Sequence, residues 1–287
     1  MKQIVILSGK GGTGKTTITA SLAALSQEAV LADCDVDASN LHLLVKPSVK
    51  ETIEFKGLKQ AVINSDACVQ CGVCQELCRF DAINNFIVDP IHCEGCKVCV
   101  VNCPVEAIEF VDRICGYAYL SETKFGPMSH ARLSPGMENS GKLVTLVRQN
   151  AVKLAEKYGR DLILVDGSPG IGCPVIASVS NVDASLLVVE PTLSGIHDLE
   201  RIIKLLDIFD VKPMVSVNKY NLNTDHSESI QKFCEEQDID FVGTVPIDRK
   251  VYDSNINGLP VTEYEPGSKA AIAISELWNQ IRNLLEI

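Results

Sequence analysis

The stretch Ser8-Gly9-Lys10-Gly11-Gly12-Thr13-Gly14-Lys15-Thr16-Thr17 decides how this chain is read. An apolar run, Ile4-Val5-Ile6-Leu7, precedes it, and a helical pattern from Ile18 to Leu25 follows. Strand, glycine-rich turn and helix form the setting a phosphate-binding loop requires. The spacing Gly9-x4-Gly14-Lys15-Thr16 meets that motif in full. Glycines let successive backbone N–H groups point into one concavity, and the helix N-terminus behind them adds positive potential. Lys15 is expected at the β- and γ-phosphates of a nucleotide, and the Thr16 hydroxyl on Mg²⁺.

The rest of the chain narrows the class. Its 287 residues, 46% of them apolar, allow one large α/β domain plus something smaller. No uninterrupted apolar run reaches membrane-spanning length, and the N-terminus enters a strand at once, so neither membrane insertion nor a signal peptide is expected. The net charge of −11 argues against a nucleic-acid partner. Twelve cysteines without a secretion signal point to a cytoplasmic protein with metal or redox chemistry rather than a disulfide framework.

Residues 29–33 read as a second buried strand, ending in Asp33-Cys34-Asp35-Val36-Asp37 ahead of a short helix over 38–44. Carboxylates at the C-terminal end of a strand lie beside the ligand site of an open parallel sheet. A helix over 142–158 leads to Leu162-Ile163-Leu164-Val165-Asp166-Gly167-Ser168-Pro169-Gly170, a buried strand ending in aspartate. Further strands are expected at 186–189, 213–217 and 241–245, with a helix over 194–209 between the first two. The C-terminal helix carries Ile274, Leu277, Trp278, Ile281, Leu284 and Leu285 and lacks the basic face of a membrane-surface helix, so it is expected to pack on the core.

Between the two aspartate-ended strands the pattern changes. Cys68-x2-Cys71-x2-Cys74-x3-Cys78 recurs 25 residues later as Cys93-x2-Cys96-x2-Cys99-x3-Cys103-Pro104, and each run is followed by Ala-Ile, at Ala82-Ile83 and Ala107-Ile108. This duplication is the bacterial two-cluster ferredoxin pattern, in which each run gives three thiolates to one [4Fe–4S] cluster and its fourth to the other. The first cluster is expected on Cys68, Cys71, Cys74 and Cys103, the second on Cys93, Cys96, Cys99 and Cys78. Zinc sites do not call for eight cysteines in this doubled register. Arg79 stands where proline usually follows the fourth cysteine, and it is expected to raise the second cluster's potential slightly. Between 60 and 112 there are eight Asp/Glu against two Lys/Arg, so a partner with a basic face is expected. Residues 113–141, with Gly116, Gly126-Pro127, Ser134-Pro135-Gly136 and Asn139-Ser140-Gly141, read as a return linker with a hairpin, leading back to the main domain. The expected division is a nucleotide domain at 1–59 and 142–287, an inserted ferredoxin module at 60–112, and the linker.

Lys10, a second lysine within Lys-Gly-Gly-x-Gly-Lys-Thr-Thr, makes the loop resemble the deviant Walker A motif of the MinD, ParA and Mrp/Nbp35 ATPases and the nitrogenase iron protein. That resemblance implies a mostly parallel sheet and a homodimer sandwiching ATP or ADP, in which Lys10 reaches the partner subunit's nucleotide. It implies a catalytic set of Lys10, Lys15, Asp35 and Asp166. Asp35 would orient or deprotonate the attacking water. Mg²⁺ would be held by Thr16, with Asp166 in its shell and Asp33, Asp35 or Asp37 completing it, unranked. Nucleotide contacts are expected from Gly9 through Thr17, from the Gly170 N–H as γ-phosphate sensor, and from Asn218 and Pro246 beside the base. Cys173, seven residues past Asp166, lies near where the iron protein has a cluster ligand, with Cys115 as its only available second. Three functions follow from the combination: nucleotide-gated electron transfer to a redox partner, assembly or carriage of metal clusters to an apo-protein client, and positioning with redox sensing.

Overall fold

The computed structural model describes residues 1–137 and 141–287. Its elements begin with β1 (Lys2–Leu7), α1 (Lys15–Ser26), β2 (Val30–Asp33), α2 (Leu41–Val45) and a long strand, β3 (Ser48–Ile63). The cysteine-rich stretch follows as α3 (Val73–Glu76), β4 (Ile83–Asn84), β5 (Ile87–Val88) and α4 (Val98–Val101). A second long strand, β6 (Ile108–Thr123), turns into β7 (Gly126–Leu133). The remainder alternates as α5 (Lys142–Tyr158), β8 (Leu162–Asp166), α6 (Cys173–Val179), β9 (Ala184–Val189), α7 (Leu193–Ile208), β10 (Lys212–Asn218), α8 (Thr224–Glu236), β11 (Asp240–Val245), α9 (Arg249–Asn257), α10 (Val261–Tyr264) and α11 (Lys269–Leu285).

One sheet runs β11-β10-β9-β1-β8-β2-β7-β6-β3, and its strands from β11 to β7 are parallel. β1 is apolar on both faces because both faces are covered: Ile4 through Leu7 are fully buried. Ile4 and Ile6 face a core shared with Ile18 and Leu22 of α1 and Ile274, Trp278 and Ile281 of α11. The C-terminal helix is therefore a packing helix, capped by Ser268, whose hydroxyl accepts the Ala271 N–H. No helix among the described residues is long and apolar enough to cross a membrane.

The chain divides into two compact units. One comprises Met1–Thr52, Ala118–Arg132 and 141–287; the other comprises Ile53–Tyr117 with 133–137. The division falls inside β3 and β6. Those strands run antiparallel: Lys50 near the start of β3 pairs with Glu122 near the end of β6, and Lys59 pairs with Asp112.

The segment 113–141, expected as a linker, is mostly strand. β6 extends to Thr123, and two residues later β7 takes a central place beside β2. Glycine misled the reading. Gly126 (φ +141) marks a close approach to the Ala29 carbonyl, which a side chain would strike. Cys115 accordingly sits buried in a strand, its thiol on the Arg113 carbonyl at 3.4 Å, not in an irregular segment. Residues 138–140 of that segment lie outside the described residues.

Candidate functional site

In the larger unit, the turn after β1 and the ends of β2 and β8 meet. Asp33 and Asp166 are register partners on adjacent strands. Lys15, the first residue of α1, is buried with its Nζ 2.8 Å from Asp166 Oδ1 and 3.6 Å from Asp35 Oδ2. Thr16 and Thr19 donate their hydroxyls to Asp166 at 2.8 and 3.2 Å. Burial works against the Lys15 charge, but Asp166 and Asp35 overcome it and hold its pKa above the usual lysine value. Burial, followed by the Asp166 charge, pushes Asp33 up to about 7. Burial also raises Asp35, with Lys15 opposing. Three carboxylates share one lysine, so the site has surplus negative charge and hydroxyl oxygens at hand. That donor set fits a hard divalent cation.

The structure separates the three acidic residues that the sequence leaves unranked. Asp33 is fully buried, accepting the Ser39 hydroxyl at 2.6 Å and the Asp35 N–H at 3.2 Å. Asp35 is half-buried against Lys15 and lines an open cleft of about 470 Å³ together with Gly11 through Thr17. Asp37 is exposed.

Other expected contacts are engaged within the protein. The Gly170 N–H donates to the Ser8 carbonyl at 2.9 Å, tying the loop after β8 to the phosphate-binding turn. Asn218 donates its amide to the Thr13 carbonyl at 2.6 Å, and Gly14 (φ +95) lies so close that a Cβ there would strike that amide. Among the described residues neither Asn218 nor Pro246 lines the cleft, whereas Leu43, Pro169 and Asn255 do.

Lys10 also lies off the cleft. Its Nζ is 3.3 Å from Glu190 Oε2 and 3.5 Å from Thr192 Oγ1. Glu190 binds Lys219 as well, at 2.5 Å, and Lys219 reaches the Gly12 carbonyl at 3.1 Å. Burial alone would raise Glu190, but Lys219 and Lys10 hold its carboxyl below the usual range. Glu190, Lys219, Thr19 and Ser39 escaped the sequence reading. Glu190 and Lys219 stand at the ends of apolar strands, a visible signal; Thr19 and Ser39 gave none.

In the smaller unit the cysteines sort into two sets. Cys68, Cys71, Cys74 and Cys103 line one hollow; Cys78, Cys93, Cys96 and Cys99 line another. The 25-residue repeat is written in the backbone. Positive φ recurs at Gln70 and Gly95, at Gly72 and Lys97, and at Asp81 and Glu106. The Ala82 N–H points to Cys78 Sγ at 3.4 Å and the Ala107 N–H to Cys103 Sγ at 3.3 Å. Asn64 N–H bonds the Ala107 carbonyl, while its counterpart Asp89 N–H bonds the Ala82 carbonyl, the exchange expected of a local twofold. Among the described residues no group of three or more His, Cys, Asp or Glu is arranged to hold a metal ion.

The remaining cysteines differ in access. Cys34 and Cys234 are buried, and burial raises both thiols, Cys234 to about 11. Cys173, the first residue of α6, is exposed.

Residues 4–261 match the family described as the CobQ/CobB/MinD/ParA nucleotide binding domain. The uncharacterized protein MJ0578 of Methanocaldococcus jannaschii is 40% identical over 224 residues, 77% of this chain and 79% of that protein. The septum site-determining protein MinD of Bacillus subtilis is 24% identical over 288 residues, 97% and 88% of the two chains. In fold, the septum site-determining protein MinD of Pyrococcus horikoshii, complexed with Mg-ADP, is similar at a TM-score of 0.62 and 18% identity, over 99% of this chain and 97% of that one. With its strand-loop-helix turn set in a mostly parallel sheet, the chain belongs to the CobQ/CobB/MinD/ParA family of nucleotide-binding domains.

Proposed function

We propose that this chain is a Mg²⁺-dependent ATPase, acting as a homodimer, whose nucleotide cycle gates electron transfer through two [4Fe–4S] clusters. The observation that carries the cluster reading is the sorting of eight cysteines into two fourfold sets related by a local twofold, each taking its fourth thiol from the other run. Each hollow is otherwise largely apolar, and in each a backbone N–H is directed at the sulfur of the cysteine from the other run. The clusters, when bound, supply one-electron chemistry. The eight thiols hold them and set their surroundings.

At the nucleotide site, Asp35 is the residue that orients the attacking water, because it alone of the three candidates borders the cleft and faces Lys15. Asp33, Asp166 and Thr16 suit Mg²⁺, which, when bound, neutralises phosphate charge. Lys15 exchanges Asp166 for the terminal phosphates. The Gly170 N–H exchanges the Ser8 carbonyl for the γ-phosphate, and the loop after β8 moves with it. Lys10, held by Glu190 away from its own cleft, exchanges that carboxylate for the partner's nucleotide.

The test is anaerobic purification followed by iron and sulfide quantitation and an ATPase assay. About eight irons per chain are expected from two cubanes, together with a cluster EPR signal that shifts on adding ATP and loss of turnover in Lys15→Met. Absence of iron would remove the cluster reading and leave the ATPase. A second reading, a cluster carrier, is favoured by the exposed thiol of Cys173. It predicts ATP-dependent transfer of radiolabelled iron to an apo-acceptor, whereas the first predicts reduction of an acceptor with no iron loss.

A further inference from the structure

The local twofold makes the two cysteine sets near copies, and the ways in which they are matched are as informative as the way in which they are not. The potential of an iron–sulfur site is set by cluster type, hydrogen bonds to sulfur, exposure and net charge. The sets match in the backbone N–H aimed at the sulfur of the fourth cysteine, from Ala107 to Cys103 at 3.3 Å in the first and from Ala82 to Cys78 at 3.4 Å in the second. Each has one exposed thiol, Cys71 in the first and Cys96 in the second. Charge is where the copies part.

Around the first set the hollow is lined by Ile63, Val69, Val73, Phe86, Pro104 and Val105, with no charged side chain. Three cations stand around the second, and a fourth adjoins it in sequence. Lys97 lines the hollow and lies over the Phe110 ring at 5.8 Å; Lys59 lies over the same ring at 5.8 Å. Arg79 follows Cys78 directly. Arg113 donates from Nη1 to the Cys93 carbonyl at 3.3 Å. Four acids offset them: Glu94 lines the same hollow, Asp112 pairs with Lys59, and the backbones of Asp81 and Asp89 bond those of Cys78 and Cys93. The contrast lies in the cations, because the first hollow has none to set against Lys97. By the 25-residue repeat, Lys97 and Arg79 replace Gly72 and Pro104 of the first set. Lys97 does so at φ +69, a conformation that suits the glycine at its counterpart, φ +82, and strains a lysine.

We propose that the two sites are electrically unequal, so that the set Cys78, Cys93, Cys96 and Cys99 takes the first electron and the set Cys68, Cys71, Cys74 and Cys103 passes electrons to it. Resting on the cluster reading above, this adds a direction. Reduction adds one negative charge per site, with no bond made or broken, and nearby cations favour that added charge. Electrons from an external one-electron reductant therefore settle at the second set, which makes it the exit toward the acceptor.

The experiment is an anaerobic redox titration with dithionite on the full-length protein, followed by EPR, with iron counted on every sample. The Cys96→Ser variant, altered at an exposed ligand position, identifies the second set's signal. In the unmodified protein the second set should be occupied by the first electron about tenfold or more over the other. Lys97→Gly, which also relieves the backbone strain, should reduce that ratio, and Lys97→Arg should keep it. Gly72→Lys, placing the cation at the first set, should narrow the ratio from the other side. With full iron in all samples, an unchanged ratio in Lys97→Gly, or first occupancy of the Cys68 set, overturns the proposal. Protein without iron overturns the cluster reading itself.

Discussion

At the residue scale the nucleotide site is a contest among three carboxylates for one ammonium. Lys15 satisfies Asp166 and Asp35, and Asp33 is left with neutral donors, so burial and the Asp166 charge lift Asp33 to about 7. The sign of the consequence follows from linkage. The folded state binds this proton more tightly than the unfolded chain, so Asp33 adds stability that is fully present below the unfolded value of about 4 and is lost as pH rises through about 7. Without nucleotide or Mg²⁺, the thermal midpoint should fall between pH 5 and pH 8 by more in the unmodified protein than in Asp33→Asn, the difference amounting to a few kcal/mol at most. Equal slopes for the two proteins would show that Asp33 is ionised throughout. Residue identity announced Lys15, Thr16 and Asp166. It did not rank Asp33, Asp35 and Asp37, because ranking depends on which carboxylate the fold buries, and two-residue spacing carries no such information.

At the scale of elements, the phosphate-binding turn is held from outside. Asn218, at the end of β10, donates to Thr13; Lys219 reaches Gly12; Gly170 donates to Ser8. The glycines of the turn are therefore not equivalent. Gly14 sits at φ +95 with the Asn218 amide against its open side, whereas a methyl at Gly11 meets nothing. Gly14→Ala should lose about 2 kcal/mol or more in urea unfolding, while Gly11→Ala should stay within about 0.5 kcal/mol. Similar losses for both would mean that the turn tolerates strain without its supports. Elements with strong periodicity were legible: the helix over 142–158 and the strands ending at Asp33 and Asp166 stand where the sequence places them. The length of the β6 and β7 strands was not, although a hairpin was expected there, because Gly116, Gly126 and Pro127 mimic a loop. At Gly126 the reason is the close approach of the Ala29 carbonyl, which local pattern cannot report.

At the scale of the whole molecule, the order of motifs in the chain has a testable consequence for its iron. If the fourth cysteine of each run serves the other run's site, Cys103→Ser should disturb the site of Cys68, Cys71 and Cys74 and leave that of Cys93, Cys96 and Cys99 intact. Iron should fall by about half or less, since a serine oxygen retains part of the binding, and one of two EPR signals should change. A change confined to the signal marked by Cys96→Ser would reverse the assignment. Cys173→Ser should leave iron content and both signals unchanged if that exposed thiol stands apart from the clusters.

What the sequence determined by itself was every feature whose physics is local. The glycine spacing must make an anion-binding turn. Apolar runs ending in aspartate must be buried strands whose carboxylates emerge at one edge of a parallel sheet. The doubled cysteine spacing sorts eight thiols before any coordinate is known. Tertiary structure alone decided which aspartate is sealed and which borders the cleft, that Glu190 holds Lys10 and Lys219 together, that glycine in β7 means close packing, and that Lys59 and Arg113 join Lys97 at one copy of a repeat. Each depends on distances between residues far apart in the chain, and burial and charge act through those distances.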